Sequence, residues 1–137
     1  MAQALILAEK HDVYLGVEPE LANVIDSPAQ ARRLIDEMCS PRIKIVLDPT
    51  NLFEQAGTEA RCAWIAGAVD LLADRIMLAH AKDRAANGAF TTPGQGVIDF
   101  VHFFGCLRHG VCWPGCDAWA SRGRSAGCRP ISDGCLG

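Results

Sequence analysis

Residues 43–51 read IKIVLDPTN, a short apolar run that stops abruptly on Asp48, Pro49 and a polar turn. The same design occurs twice more. Val13–Val17 (VYLGV) ends on Glu18-Pro19, and Ile76–Ala79 (IMLA) ends on His80. Continuous apolar runs of this length are what a strand buried on both faces looks like. Helix-like segments separate the three runs. Ser27-Pro28-Ala29-Gln30 supplies an N-cap, a proline at the first helical position and a glutamine at the capping-box position, ahead of ARRLIDEMC. Leu34, Ile35 and Met38 fall on one face of that helix. A second helix is predicted from Thr58 to Ala73, with Trp64, Ala68, Leu71 and Leu72 inward, and a third over Ile98–Arg108. Met1–Lys10 reads as a further short helix. Strands alternating with helices of this length imply parallel pairing with right-handed crossovers.

Composition supports one folded unit and narrows the partners. The chain has 137 residues, half of them apolar, with mean hydropathy +0.11. That is enough for a core and too short for a complete barrel of eight βα units. Thirteen basic against sixteen acidic residues give a net charge of −3, which favours neither nucleic acid nor an anionic membrane surface. No stretch approaches the roughly 18 uncharged apolar residues of a membrane span, and the N-terminal dozen lacks the basic flank and cleavage site of a signal peptide. A cytoplasmic protein is expected.

Parallel strands point their C-terminal ends to one rim, where ligands of α/β folds bind. Glu18, Asp48 and His80 all stand at that rim. Two carboxylates and an imidazole form an O/O/N set suited to Mn²⁺, Mg²⁺, Co²⁺ or Zn²⁺ with positions left open for substrate; the absence of thiolates argues against a structural zinc. His11, His102 and His109 fall in helices or at their ends and receive no ligand role.

The segments Val17-Glu18-Pro19, Leu47-Asp48-Pro49-Thr50-Asn51, His80-Ala81-Lys82-Asp83 and Pro93-Gly94-Gln95-Gly96-Val97-Ile98-Asp99 occur in an order and spacing that resembles a known family. It is the sugar phosphate isomerase/epimerase group with the xylose isomerase-like TIM barrel, related to endonuclease IV. The resemblance implies an α/β fold that is a partial (β/α)8 barrel, about strands five to seven with their helices, over residues 1–111. It implies that Glu18, Asp48 and His80 are three of four metal ligands, with Glu18 also the catalytic base. Asn51, Asp83, Gly94 and Gly96 would meet the substrate, a small sugar or sugar phosphate. The implied chemistry is proton abstraction beside a carbonyl through an enediolate, with a divalent ion as Lewis acid. Asn51 departs from a histidine found in many members, which speaks against the alternative of an endonuclease IV-like phosphodiesterase.

From Cys112 the character of the sequence changes. Residues 112–137 contain no Lys or Glu but two of the three Trp, five of the thirteen Gly and four of the seven Cys. No period of 2 or 3.6 runs through them. Codons can be chosen for this stretch that, read one nucleotide later, give an acidic cluster and an amphipathic helix. An irregular, out-of-frame tail is therefore expected from about residue 112. A zinc or redox role for its cysteines is the weaker rival, since no CxxC occurs. Aligned with the family, Met1 falls inside the helix before strand five. A half-barrel without activity is then expected, prone to self-association through open sheet edges, and a non-catalytic half-barrel needing a partner is the second alternative.

Overall fold

The computed structural model describes residues 1–53 and 57–111; the expected out-of-frame tail lies outside the described residues. The order is α1 (Ala2–Lys10), β1 (Leu15–Val17), α2 (Pro28–Met38), β2 (Ile43–Leu47), a 3₁₀ turn (Pro49–Asn51), α3 (Thr58–Leu72), β3 (Ile76–Ala79), β4 (Asp83–Arg84), β5 (Phe90–Thr91) and α4 (Phe100–Gly110). Strands β1, β2 and β3 pair in parallel and lie side by side in chain order. A doubly wound sheet reverses its strand order at a switch point, whereas a (β/α)8 barrel never does. Three adjacent strands without a reversal, with their helices, are consistent with the expected part of such a barrel.

Helix α2 begins where its sequence directs. Ser27 is extended at the N-cap and its hydroxyl accepts from the Gln30 backbone N–H at 3.3 Å, with Pro28 opening the helix. The helix ends at Cys39, whose φ of 46° is left-handed, with its N–H bonded to the Ile35 carbonyl. Ser27→Ala removes the acceptor for an N-terminal donor and is expected to lower stability by about 0.5–1 kcal/mol, read by urea unfolding. An unchanged midpoint would show that Pro28 alone sets the start.

Alternation along β2 builds both faces of the sheet. Ile43, Ile45 and Leu47 are fully buried and join Ile35 of α2 with Ile65, Val69 and Leu72 of α3 in the core. Burying each such side chain contributes roughly 1.5–3 kcal/mol. Lys44, Val46 and, at the strand's end, Asp48 fall on the opposite face. Gly16 of β1 shares that face: an added Cβ would stand 3.0 Å from Val46 Cγ2.

The inward face of α3 differs from the expected one. Ile65, Ala68, Val69 and Leu72 are buried, while Trp64 and Leu71 are substantially exposed. The helix is apolar nearly all round, so spacing alone leaves its rotation undetermined. Packing decides it. Helix α4 presses Phe103 and Leu107 into the same core, and His102 Nε2 lies 3.0 Å from the Cys62 carbonyl of α3. That helix also starts two residues later than predicted, because Asp99 is its N-cap, accepting from the His102 N–H at 2.9 Å. The loop after β3 contains the short antiparallel pair β4–β5, which the sequence reading did not foresee. No helix among the described residues is long and apolar enough to cross a membrane.

Candidate metal centre

Glu18 follows β1, Asp48 follows β2 and His80 follows β3, so each strand delivers one side chain to the same rim. A single irregularity makes this possible. Between β2 and β3 the register shifts at Ile45/Val46, so that Ile45 pairs with Ile76 but Val46 pairs with Leu78. Paired residues of a sheet share a face, and a one-residue slip reverses the face. Leu47 opposite Ala79 then leads to Asp48 beside His80, with the His80 N–H bonded to the Leu47 carbonyl at 2.9 Å. Without the bulge His80 would point to the helices.

The three side chains converge. His80 Nδ1 lies 3.4 Å from Glu18 Oε1 and 3.6 Å from Asp48 Oδ2. One ligand atom from each residue falls within 4.8 Å of the others. Donors about 2.1 Å from a common ion stand about 3.0 Å apart in adjacent octahedral positions and about 3.4 Å apart in tetrahedral ones, so this spacing suits a single ion.

Burial gives a second, independent sign. Asp48 is fully buried and Glu18 and His80 about one-third exposed, yet the buried His80 Nδ1 has no hydrogen-bond partner, while Asp48 Oδ2 meets the ammonium of Lys82. Buried polar atoms normally are paired, and an unpartnered imidazole nitrogen beside two carboxylate oxygens fits a cation between them. The other oxygen of Asp48 is fully engaged: Oδ1 accepts from the Thr50 N–H at 2.9 Å and from Thr50 Oγ1 at 2.7 Å. Thr50 thus fixes the carboxylate so that Oδ2 faces the site.

Two further groups meet this cluster. Asn51 Nδ2 donates to Glu18 Oε1 at 2.9 Å, placing the expected substrate residue against the expected base. Lys82 was given no role from sequence, but its Nζ lies 2.7 Å from Asp48 Oδ2 and 3.5 Å from Glu18 Oε1. Its approach to Asp48 is a close ion pair. The signal was its place two residues after His80, on the connection between β3 and β4. Burial works to raise the Asp48 pKa, but the Lys82 ammonium and the two bonds from Thr50 outweigh it and hold the carboxyl below its ordinary value. Lys82 is correspondingly raised, chiefly by Asp48.

Asp83, Gly94 and Gly96 form a separate knot. Asp83 is buried and accepts four backbone N–H bonds, from Arg84 and Ile98 to Oδ1 and from Gly94 and Gly96 to Oδ2, at 2.9–3.1 Å. Both carboxylate oxygens and both glycine N–H groups are thereby turned toward one another. Gly94 has φ +86°, and a Cβ on Gly96 would fall 2.2 Å from the Arg84 carbonyl, so both positions demand glycine. Arg84 ties this knot to the cluster of Glu18, Asp48 and His80 by donating from Nε to the carbonyl of Thr50, which clamps Asp48, at 3.1 Å.

Parallel strands that bring two carboxylates and an imidazole together at their C-terminal rim are an arrangement found in (β/α)8 barrels. Comparison with protein families makes this specific: residues 1–126 match the xylose isomerase-like TIM barrel, and the chain belongs to that family. No curated protein matches the chain.

Proposed function

We propose that the site serves a divalent-metal-dependent isomerase or epimerase of small sugars or sugar phosphates, working by proton transfer beside a carbonyl. The observation that carries this reading is the convergence of Glu18, Asp48 and His80, whose ligand atoms lie within 4.8 Å of one another, with the buried His80 Nδ1 left unpartnered. The O/O/N donor set fits Mn²⁺, Mg²⁺, Co²⁺ or Zn²⁺. When bound, such an ion supplies Lewis-acid polarisation of the substrate's carbonyl and neighbouring hydroxyl.

The chain's own groups have distinct parts in this scheme. Asp48, locked by Thr50, and His80 hold the ion. The polar neighbours of Glu18, namely Asn51, His80 and Lys82, all meet its Oε1. Oε2 is therefore the oxygen that takes a proton from the carbon beside the carbonyl and returns it to the adjacent carbon on the same face; delivery to the opposite face would need a second acid on that side. Asn51 fixes the rotation of Glu18 and offers its amide to a sugar hydroxyl. Asp83, Gly94 and Gly96 shape the loop beside the pocket. The net negative charge and Asn51 do not favour a phosphodiesterase acting on DNA.

Two measurements test the reading. Titration of the purified chain with Mn²⁺, followed by calorimetry or electron paramagnetic resonance, is expected to show one ion per chain. Glu18→Gln should weaken that binding and, in a complete barrel that carries these residues, reduce deuterium uptake from solvent at the substrate's carbonyl-adjacent carbon by about 10²–10⁴-fold, the scale of a positioned base. Undiminished exchange in the variant would remove Glu18 from the role of base; no Mn²⁺ binding would remove the metal centre.

A further inference from the structure

Resting on the metal-centre reading, we infer that Lys82 is a built-in rival of the metal: its ammonium and the ion use the same oxygen, and Lys82 must leave Asp48 before the ion is held. The geometry is exclusive. Lys82 Nζ lies 2.7 Å from Asp48 Oδ2, the oxygen that stands 3.6 Å from His80 Nδ1 and would hold the ion with it. Nζ is also 3.5 Å from Glu18 Oε1, the oxygen that meets His80. An ammonium and a divalent ion placed against both carboxylates would repel each other at short range. Asp48 cannot turn away to serve both, because Thr50 clamps its other oxygen with two hydrogen bonds.

Lys82 is able to leave. It lies on the connection between β3 and β4 and its side chain is about half exposed, so rotation of its stem returns the ammonium to water. Asp48 and His80 are anchored by strands on either side of the bulge and stay in place. The exchange thus costs one ion pair and leaves the ligand frame unmoved. It gives the buried carboxylate a cation at all times, first Lys82 and then the metal.

The test uses the full chain and Mn²⁺ alone. Lys82→Met is expected to tighten Mn²⁺ binding by roughly 2–5-fold, the scale of one half-exposed ion pair that no longer has to be broken. The same variant should melt lower than the parent in chelator and regain the difference in saturating Mn²⁺. Release is read directly by acylation with an amine-reactive ester. The chain has three lysines, Lys10, Lys44 and Lys82, so peptide mapping isolates each. Mn²⁺ should accelerate modification of Lys82 several-fold and leave Lys10 unchanged. Lys82→Arg, which keeps the charge, should bind Mn²⁺ no more tightly than the parent. If the parent binds Mn²⁺ but Lys82→Met does not tighten it, or Lys82 acylation is unaffected, the rivalry is overturned while the metal centre stands. If the parent binds no Mn²⁺, the metal-centre reading fails and takes this inference with it.

Discussion

Replacing Asp48 by asparagine is expected to lower Mn²⁺ affinity by more than about 100-fold, because residues that merely orient metal ligands already change affinity by about 10–100-fold. The substitution preserves volume and one carbonyl oxygen, so the core packing around the end of β2 is retained. What it removes is the charge on Oδ2, the buried oxygen that faces His80 Nδ1 at 3.6 Å. Thr50 can still donate to a carbonyl in place of Oδ1, which leaves an amide nitrogen directed at the ligand position, a donor where an acceptor is needed. Circular dichroism should show the parent fold, and calorimetry should show the loss of binding. Parent-like Mn²⁺ affinity in a folded Asp48→Asn chain would place the ion elsewhere. Lys82 sharpens the experiment: once Asp48 carries no charge, Mn²⁺ should no longer change the acylation rate of Lys82.

Much of this site can be read from sequence because strand ends are strongly marked. Glu18-Pro19, Asp48-Pro49 and His80 each interrupt an apolar run, and parallel pairing sends all three to one rim. Other features depend on contacts the linear pattern does not hold. The bulge at Ile45/Val46 determines that His80 shares a face with Asp48, yet Met77 looks like any other strand residue. Trp64 and Leu71 were expected inside because α3 is apolar around most of its circumference; the packing of α4 instead turned Ile65 and Val69 inward. Asp99 was read as part of a helix and serves as its cap. Lys82 stood in plain view within the motif that contains His80 and Asp83, but its role depends on Asp48, 34 positions earlier, being turned toward it by Thr50.

Asp83 shows how the loop beside the site is held, and its removal should be the most damaging change to stability. Asp83→Ala leaves four backbone N–H groups, those of Arg84, Gly94, Gly96 and Ile98, without their acceptor. Water can reach Gly94 and Gly96, which are exposed, but Ile98 is buried. A loss of about 3 kcal/mol is expected, toward the upper end for a charged acceptor with several donors. Burial alone would raise the Asp83 pKa; the four N–H groups reverse this and hold it below its ordinary value. The unfolded chain therefore takes up this proton at a higher pH, near about 4, than the folded chain does. Stability from Asp83 is complete above that range and falls as pH drops toward the folded pKa. Urea unfolding of the parent and of Asp83→Ala should accordingly differ most near neutral pH and converge on acidification. A constant gap across that range would mean that the carboxylate's charge does not hold the loop. Because Arg84 links the knot to the Thr50 carbonyl, loosening it should also weaken Mn²⁺ binding, through the clamp that Thr50 places on Asp48.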